Sequence, residues 1–150
     1  ASLDVRLVIV FGARPQIDAA LAARAIEPVF HRHLRITDEH AMPIARAVIG
    51  DLHMQIEAKL SMGLPGTPMY QARMTVVGGN WVTARPIGIV DGVDHQYTGE
   101  VRRIDVDGIR RQLDAGAIPV LGPIGYSPAG EIFNLAYEDL AASVAAALRA

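Results

Sequence analysis

The chain has 150 residues, 51% of them hydrophobic and 20% charged, and it contains no cysteine. This length and apolar fraction suit one domain with a core and exclude a disordered chain, while the missing cysteines exclude disulfides, thiolate metal sites and cysteine nucleophiles. The formal net charge of −2 gives no broad attraction for nucleic acid or anionic lipid. Without a long apolar run or a signal-like N-terminus, we expect a cytoplasmic protein with no membrane partner.

The N-terminal part predicts a strand, a glycine turn and two helices. Val5–Phe11 is a β-branched run typical of a strand buried on both faces, and Gln16–Arg24 has helical spacing, with Pro15 suited to its start. Thr37 is predicted to cap a second, longer helix, after an extended segment. The apolar residues of this helix recur every four positions at Ile44, Val48, Leu52, Ile56 and Leu60.

The C-terminal part predicts further alternation of strands and helices. Ala72–Val77 and Trp81–Ile87 are β-type runs joined around Gly78-Gly79-Asn80, and this turn favours a hairpin because its residues tolerate positive φ. The later elements are a strand at Thr98–Ile104, a helix at Val106–Asp114, a strand at Ile118–Ile124 with Pro119 and Pro123 at its ends, a strand at Glu131–Leu135 and a helix at Ala136–Ala150. This order predicts a parallel α/β sheet in a single domain over residues 1–150.

The histidines do not predict a metal site. His31 and His33 alternate on an extended segment, but a third ligand at suitable spacing is missing, so we interpret them as surface or cross-strand residues. Asp91, Asp94 and His95 resemble a metal loop only loosely, and we expect a solvated connection there.

The turn after the first strand is a candidate anion site. Gly12 allows backbone N–H groups to approach an anion at the N-terminus of the following helix, although a lone glycine also fits an ordinary βα turn. The turn reads Gly-Ala-Arg-Pro-Gln-Ile from Gly12 to Ile17. It is similar to the Gly-Gly-Gly-Pro-Gln-Ile turn of the amino acid kinases that phosphorylate N-acetylglutamate, with Ala13 and Arg14 replacing two glycines.

A second segment carries the same resemblance. Residues 133–139 read Phe-Asn-Leu-Ala-Tyr-Glu-Asp where those kinases have an Asn-x-Asn-x-Asp pattern. Asn134 keeps the first amide, Ala136 has lost the second, and Glu138 stands in place of the aspartate. With GARPQID, LRITD and GEIFNLAYED, the whole chain resembles the kinase-like domain of bacterial N-acetylglutamate synthases. The resemblance implies a three-layer αβα sandwich with a mainly parallel sheet and a β-hairpin, of which the chain holds a part.

The resemblance also implies a pocket for an acylated amino acid, in working or vestigial form, made by Gly12, Arg14, Arg35, Asn134 and Glu138. In the kinases an arginine placed like Arg35 pairs with the substrate α-carboxylate. The single lysine, Lys59, fits neither phosphate-binding position of the kinases. We therefore assign no catalytic residue and no metal ligand.

The implied function is the regulatory and oligomerising part of a synthase that makes N-acetylglutamate from acetyl-CoA and L-glutamate, at the start of arginine biosynthesis. Acetyl transfer belongs to a separate domain, to which nothing in this sequence is similar, so the chain alone is expected to be inactive and to need no cofactor. L-Arginine as effector and a second copy of the chain are the implied partners. Two alternatives stay open: an N-acetylglutamate kinase with unusual residues, and a non-enzymatic module that binds acylated amino acids.

Overall fold

The computed structural model describes residues 5–62, 66 and 74–150. The helices are α1 (Arg14–Ala22), α2 (Ala41–Ser61), α3 (Val106–Asp114) and α4 (Tyr137–Leu148). The strands are β1 (Ile9–Val10), β2 (Val29–His31), β3 (Leu34–Ile36), β4 (Thr75–Val77), β5 (Val82–Pro86), β6 (Ile89–Val90), β7 (Val93–Asp94), β8 (Gly99–Ile104), β9 (Ala117–Leu121), β10 (Ile124–Tyr126) and β11 (Ile132–Asn134). In these described ranges no helix combines the length and apolar character that a membrane span requires.

A parallel three-stranded sheet has the order β1-β9-β4. Its central strand β9 pairs with β4 up to Pro119 and with β1 from Val120 onwards. Pro119 is fully buried and lies within the strand, so its predicted place at a strand end is wrong. The missing N–H of the proline falls where the ladder changes partner, which makes the residue tolerable there.

The first strand is shorter than its composition predicts. Pairing with β9 is confined to Ile9 and Val10, and the preceding Val5 and Leu7 are 68% and 45% exposed. The prediction of a strand over Val5–Phe11, buried on both faces, is therefore wrong for its first half. β1 is short because only two residues of its neighbour β9, those that follow Pro119, pair with it.

The predicted hairpin around Gly78-Gly79-Asn80 is wrong. β4 pairs in parallel with β9, whereas β5 pairs with β8 and β10 in a four-stranded sheet of order β11-β10-β5-β8. The glycines instead permit close packing where the chain passes from one sheet to the other. A Cβ on Gly78 would lie 2.9 Å from the His53 ring, and one on Gly79 would lie 2.6 Å from the Trp81 ring.

The start of α2 also differs from the prediction. Asp38, and not Thr37, accepts hydrogen bonds from the backbone N–H groups of His40 and Ala41, at 3.0 and 2.7 Å. Thr37 is fully buried and its hydroxyl joins a polar network with Thr98 and Asn134. Helix α2 ends at Ser61, just beyond the last predicted apolar position, Leu60. The first residues of the predicted strand at Ala72 lie outside the described residues.

Helices cover both sides of the parallel sheet. Helices α1 and α2 share one apolar cluster with Phe11, while α3 and α4 share another with Val10 and Leu121 of the sheet. The α/β sandwich is thus confirmed, with two additional antiparallel hairpins, β2–β3 and β6–β7. Helix α3 has the predicted bounds and ends before Gly116, whose φ of +77° suits glycine.

Replacement of Ile109 by alanine tests the importance of the α3–α4 cluster. Ile109 is completely buried there, whereas Ile89 on β6 is 71% exposed. We expect Ile109→Ala to lower the free energy of unfolding by about 2–5 kcal/mol and the matched Ile89→Ala to change it by less than about 0.5 kcal/mol. Urea denaturation followed by circular dichroism measures both. Equal effects would contradict this assignment of the core.

Candidate functional site

A pocket opens between the N-terminal ends of α1 and α4 and the β2–β3 hairpin. The space between these elements is about 520 Å³, of which a large part is the solvent-open mouth. Four of the five predicted site residues line the pocket: Arg14, Arg35, Asn134 and Glu138. The fifth, Gly12, lies next to the pocket, underneath the ring of Tyr137. Their role as ligand contacts stays a prediction.

Arg35 on β3 dominates the electrostatics of the pocket. Its side chain is only 6% exposed, and Nη2 forms an ion pair of 2.5 Å with Asp18 of α1. The guanidinium carbon is also 4.8 Å from the centroid of the Phe30 ring. Nη1 is buried and has no hydrogen-bond partner among the described residues. Because an unpaired buried donor is energetically costly, this nitrogen needs an acceptor that the described residues do not supply.

A buried chain of hydrogen bonds supports Arg35 from behind. The Asn134 Nδ2 donates to the hydroxyl of Thr37 at 3.1 Å, and the two threonine hydroxyls of Thr37 and Thr98 are 2.8 Å apart. Thr98 Oγ1 in turn donates to the backbone carbonyl of Arg35. Thr98 also accepts a hydrogen bond from the Thr37 backbone N–H at 3.1 Å.

The direction of every bond in this chain is determined by its last acceptor. The Arg35 carbonyl can only accept, so Thr98 uses its own proton there and must accept from the Thr37 hydroxyl. The Thr37 hydroxyl has then used its proton, and the Asn134 group facing it must be the amide nitrogen. The carbonyl oxygen of Asn134 is consequently the acceptor that this side chain can offer to a ligand.

Arg14 places a second positive charge at the pocket. Its guanidinium carbon lies 4.4 Å from the centroid of the Phe30 ring, so both arginines contact the same phenylalanine. The side chain of Arg14 is exposed and makes no ion pair within the described part of the chain. It can therefore meet a negatively charged group that enters through the mouth.

Two helix N-termini complete the pocket. α1 begins after Ala13 and α4 after Ala136, both residues line the pocket, and neither helix has a side-chain cap. Free N–H groups and the helix dipoles favour negative charge at these ends, whereas Glu138 in the first turn of α4 opposes it. The site is thus suited to a small ligand that carries a carboxylate and a polar amide.

Tyr137 covers the glycine turn that the sequence marks as an anion site. A Cβ on Gly12 would lie 2.8 Å from Cδ1 of the Tyr137 ring, so the glycine permits an aromatic ring to pack on the turn. Sequence reasoning missed Tyr137, Phe30 and the Thr37–Thr98 pair as parts of the site. Tyr137 and Thr37 lie beside the predicted Glu138 and near Arg35 in sequence, but no sequence signal marks Phe30 or Thr98, whose contacts join distant segments.

The histidine prediction needs one correction. His95 is 1% exposed and its ring contacts His31, so the expected solvated connection at residues 89–97 is wrong at this residue. The interpretation of His31 as a surface or cross-strand residue does not include its contact with His95. Across the described ranges, no group of three or more histidine, aspartate and glutamate side chains is arranged to hold a metal ion.

Comparisons with known proteins agree with this architecture. The model of the amino acid kinase family matches residues 1–150. The amino-acid acetyltransferase of Azotobacter vinelandii is 59% identical over 149 residues, which are 99% of this chain and 34% of that protein. The amino-acid acetyltransferase of Pseudomonas aeruginosa is 56% identical over the same length. The chain thus spans about a third of the length of these relatives.

A solved structure has the same fold. The N-acetylglutamate synthase of Neisseria gonorrhoeae, in complex with coenzyme A and L-arginine, matches with a TM-score of 0.90 and 40% identity. The match covers 97% of this chain and 34% of that chain. The same enzyme with coenzyme A and N-acetylglutamate matches with a TM-score of 0.86. On the family match, these relatives and this shared architecture, the chain belongs to the amino acid kinase family and is similar to the kinase-like part of N-acetylglutamate synthases.

Proposed function

We propose that this chain is the regulatory, ligand-sensing part of an N-acetylglutamate synthase, and that its pocket binds an acylated acidic amino acid. The observation that carries the proposal is the buried Nη1 of Arg35, which has no partner among the described residues and belongs to a side chain lining the pocket. A ligand carboxylate fits this nitrogen, because charge-assisted hydrogen bonds to guanidinium are among the stronger ones in proteins.

The second polar group of such a ligand matches Asn134. The buried network uses the amide nitrogen of Asn134 for Thr37, so its carbonyl oxygen is the acceptor for an amide N–H of the ligand. An N-acyl amino acid carries this N–H beside its carboxylate. A second carboxylate on the ligand would meet the exposed guanidinium of Arg14 at the mouth.

The site is poorly suited to phosphoryl transfer, which is the alternative function. The glycine turn that would approach a phosphate is covered by Tyr137, and Pro15 in the same helix start has no N–H to offer. The single lysine of the chain, Lys59, lies in the last turn of α2 and does not line the pocket. Phosphoryl transfer depends on exact positioning around the phosphate, and neither the covered turn nor Lys59 can contribute to it in this pocket.

The relatives suggest where the chemistry lies in the whole protein. They are amino-acid acetyltransferases about three times as long as this chain, and the Neisseria enzyme binds coenzyme A. We propose that acetyl transfer from acetyl-CoA to L-glutamate takes place outside this chain. L-Arginine is the proposed effector, and the regulated protein is proposed to be a homo-oligomer. A binding module with no regulatory role would share the pocket but would not alter acetyl transfer when its ligand binds.

Substitution of Arg35 by lysine tests the proposed pocket. Lysine keeps a positive charge for Asp18 but lacks the second N–H of the guanidinium fork. We expect N-acetyl-L-glutamate to bind Arg35→Lys at least about tenfold more weakly than the unchanged protein, as measured by isothermal titration calorimetry. The matched control, Arg102→Lys on the exposed part of β8, should leave binding unchanged. Equal affinity for all three proteins would contradict the role of Arg35.

Incubation with magnesium-ATP and N-acetyl-L-glutamate separates the proposal from a kinase. We expect no ADP and no acyl phosphate above the background, because Tyr137 covers the glycine turn and no lysine lines the pocket. A coupled assay for ADP measures the first product, and hydroxylamine trapping measures the second. Turnover that disappears in Glu138→Gln would revive the kinase alternative.

A further inference from the structure

Two hairpins of the structure are joined by a pair of histidines outside the pocket. Nδ1 of His31, on β2, is 3.3 Å from Nε2 of His95, which follows β7. The centroids of the two rings are 5.2 Å apart. His95 is 1% exposed, whereas the side chain of His31 is 23% exposed. Because a buried polar pair without suitable partners would be unfavourable, the ring nitrogens must be matched as donors and acceptors.

The hydrogen-bonding roles of both rings follow from their partners. Nδ1 of His95 is 3.3 Å from the backbone carbonyl oxygen of Gly88, and a carbonyl can only accept, so this nitrogen carries a proton. In a neutral His95, Nε2 is then an acceptor, and Nδ1 of His31 must donate to it. This arrangement exists only while His95 is neutral, because a proton on Nε2 would face the N–H of His31.

The outer side of the pair is negatively charged. Nε2 of His31 is 3.5 Å from Oδ2 of Asp91, and the same oxygen forms an ion pair of 2.6 Å with Nη2 of Arg32. Asp91 thus lies between Arg32 and the outer nitrogen of His31 and does not contact His95. Asp94 on β7 is occupied by the backbone N–H of Gln96.

The β2–β3 hairpin carries the pocket residues that this pair can position. Phe30 is adjacent to His31 in β2 and stands directly opposite Arg35 in β3. Because neighbouring strand residues point to opposite faces, the hairpin is held by His31 on one face and presents Phe30 on the other. The backbone carbonyl of His95 also accepts from the N–H of Thr98 at 3.0 Å, and Thr98 supports Arg35.

We propose that His95 is a positioning residue for the pocket: the acceptor nitrogen of its ring holds the β2–β3 hairpin, through His31, in the place where Phe30 and Arg35 face the ligand, and loss of this acceptor releases the hairpin. The effect on ligand binding rests on the proposed function, whereas the effect on the hairpin does not.

Two amide substitutions of His95 separate positioning from mere packing. In His95→Gln, the longer amide side chain can place its acceptor oxygen where Nε2 lies, which keeps the bond to His31. In His95→Asn, the shorter amide can place its donor nitrogen where Nδ1 lies, which keeps only the bond to Gly88. Neither amide titrates. The matched control is His40→Gln, since His40 lies at the start of α2 with a side chain 73% exposed.

The test measures hydrogen exchange of residues 27–37 by mass spectrometry and the affinity for N-acetyl-L-glutamate, both at one neutral pH. For the unchanged protein and for His40→Gln we expect slow exchange in this segment and the same affinity. His95→Gln should resemble both. His95→Asn should show faster exchange in this segment and bind the ligand about tenfold more weakly.

The outcomes distinguish the two proposals. Exchange as expected without any binding of the ligand would support the hairpin mechanism and contradict the proposed pocket. Identical behaviour of His95→Gln and His95→Asn would overturn the role of His95. Should His95→Asn not fold, His31→Val replaces it, because this variant removes the donor to His95 at a partly exposed strand position. Slow exchange and unchanged affinity in His31→Val would contradict the proposal.

Discussion

The buried guanidinium of Arg35 is the interaction on which the rest of the site depends. An arginine this far from solvent requires an anionic partner and acceptors for its donors, and these come from separate parts of the chain. Asp18 of α1 takes one nitrogen, while Thr98, before β8, holds the backbone carbonyl. Since Thr98 is in turn connected to Asn134 at the end of β11, the pocket is positioned by several strands and by two helices. Its geometry is therefore a property of the whole fold.

The same geometry supports the proposal that this kinase-like fold binds a ligand without catalysing a reaction. The glycine turn and the helix starts that favour an anion in this architecture are still present, but a tyrosine ring is packed on the glycine. What remains open is the side of the pocket formed by Arg35, Asn134 and Phe30, which offers recognition of a carboxylate and an amide. A chain of this kind can change conformation when a ligand binds, while the catalysed reaction takes place in another part of a longer protein.

The two hairpins extend this argument to regulation. Such ribbons have few neighbours and are easily displaced, so the contacts that hold them have a large influence on what they carry. In this protein the contacts include a nearly buried histidine whose tautomer follows from its partners, and the β2–β3 ribbon carries a side chain that contacts both arginines of the pocket. A polar pair beyond the pocket can in this way influence the pocket without touching the ligand.

The amino-acid sequence by itself determined the α/β class and the helix of α3 with its glycine stop, which follow from periodicity and turn residues. The resemblance of short motifs predicted the family, which the comparisons confirm, and the five site residues, whose role as ligand contacts stays a prediction. The partners of the strands were decided only by the tertiary structure. The β-branched composition of β1 did not reveal that only two of its residues would pair with β9. Gly78 and Gly79 predicted a turn, but in the structure they allow close packing against His53 and Trp81. Likewise Thr37, a good helix cap in isolation, is bonded in the interior to Asn134, which is 97 residues away. Non-local hydrogen bonds and burial depend on which segments meet, and this is settled by the free energy of the complete fold rather than by any short stretch of sequence.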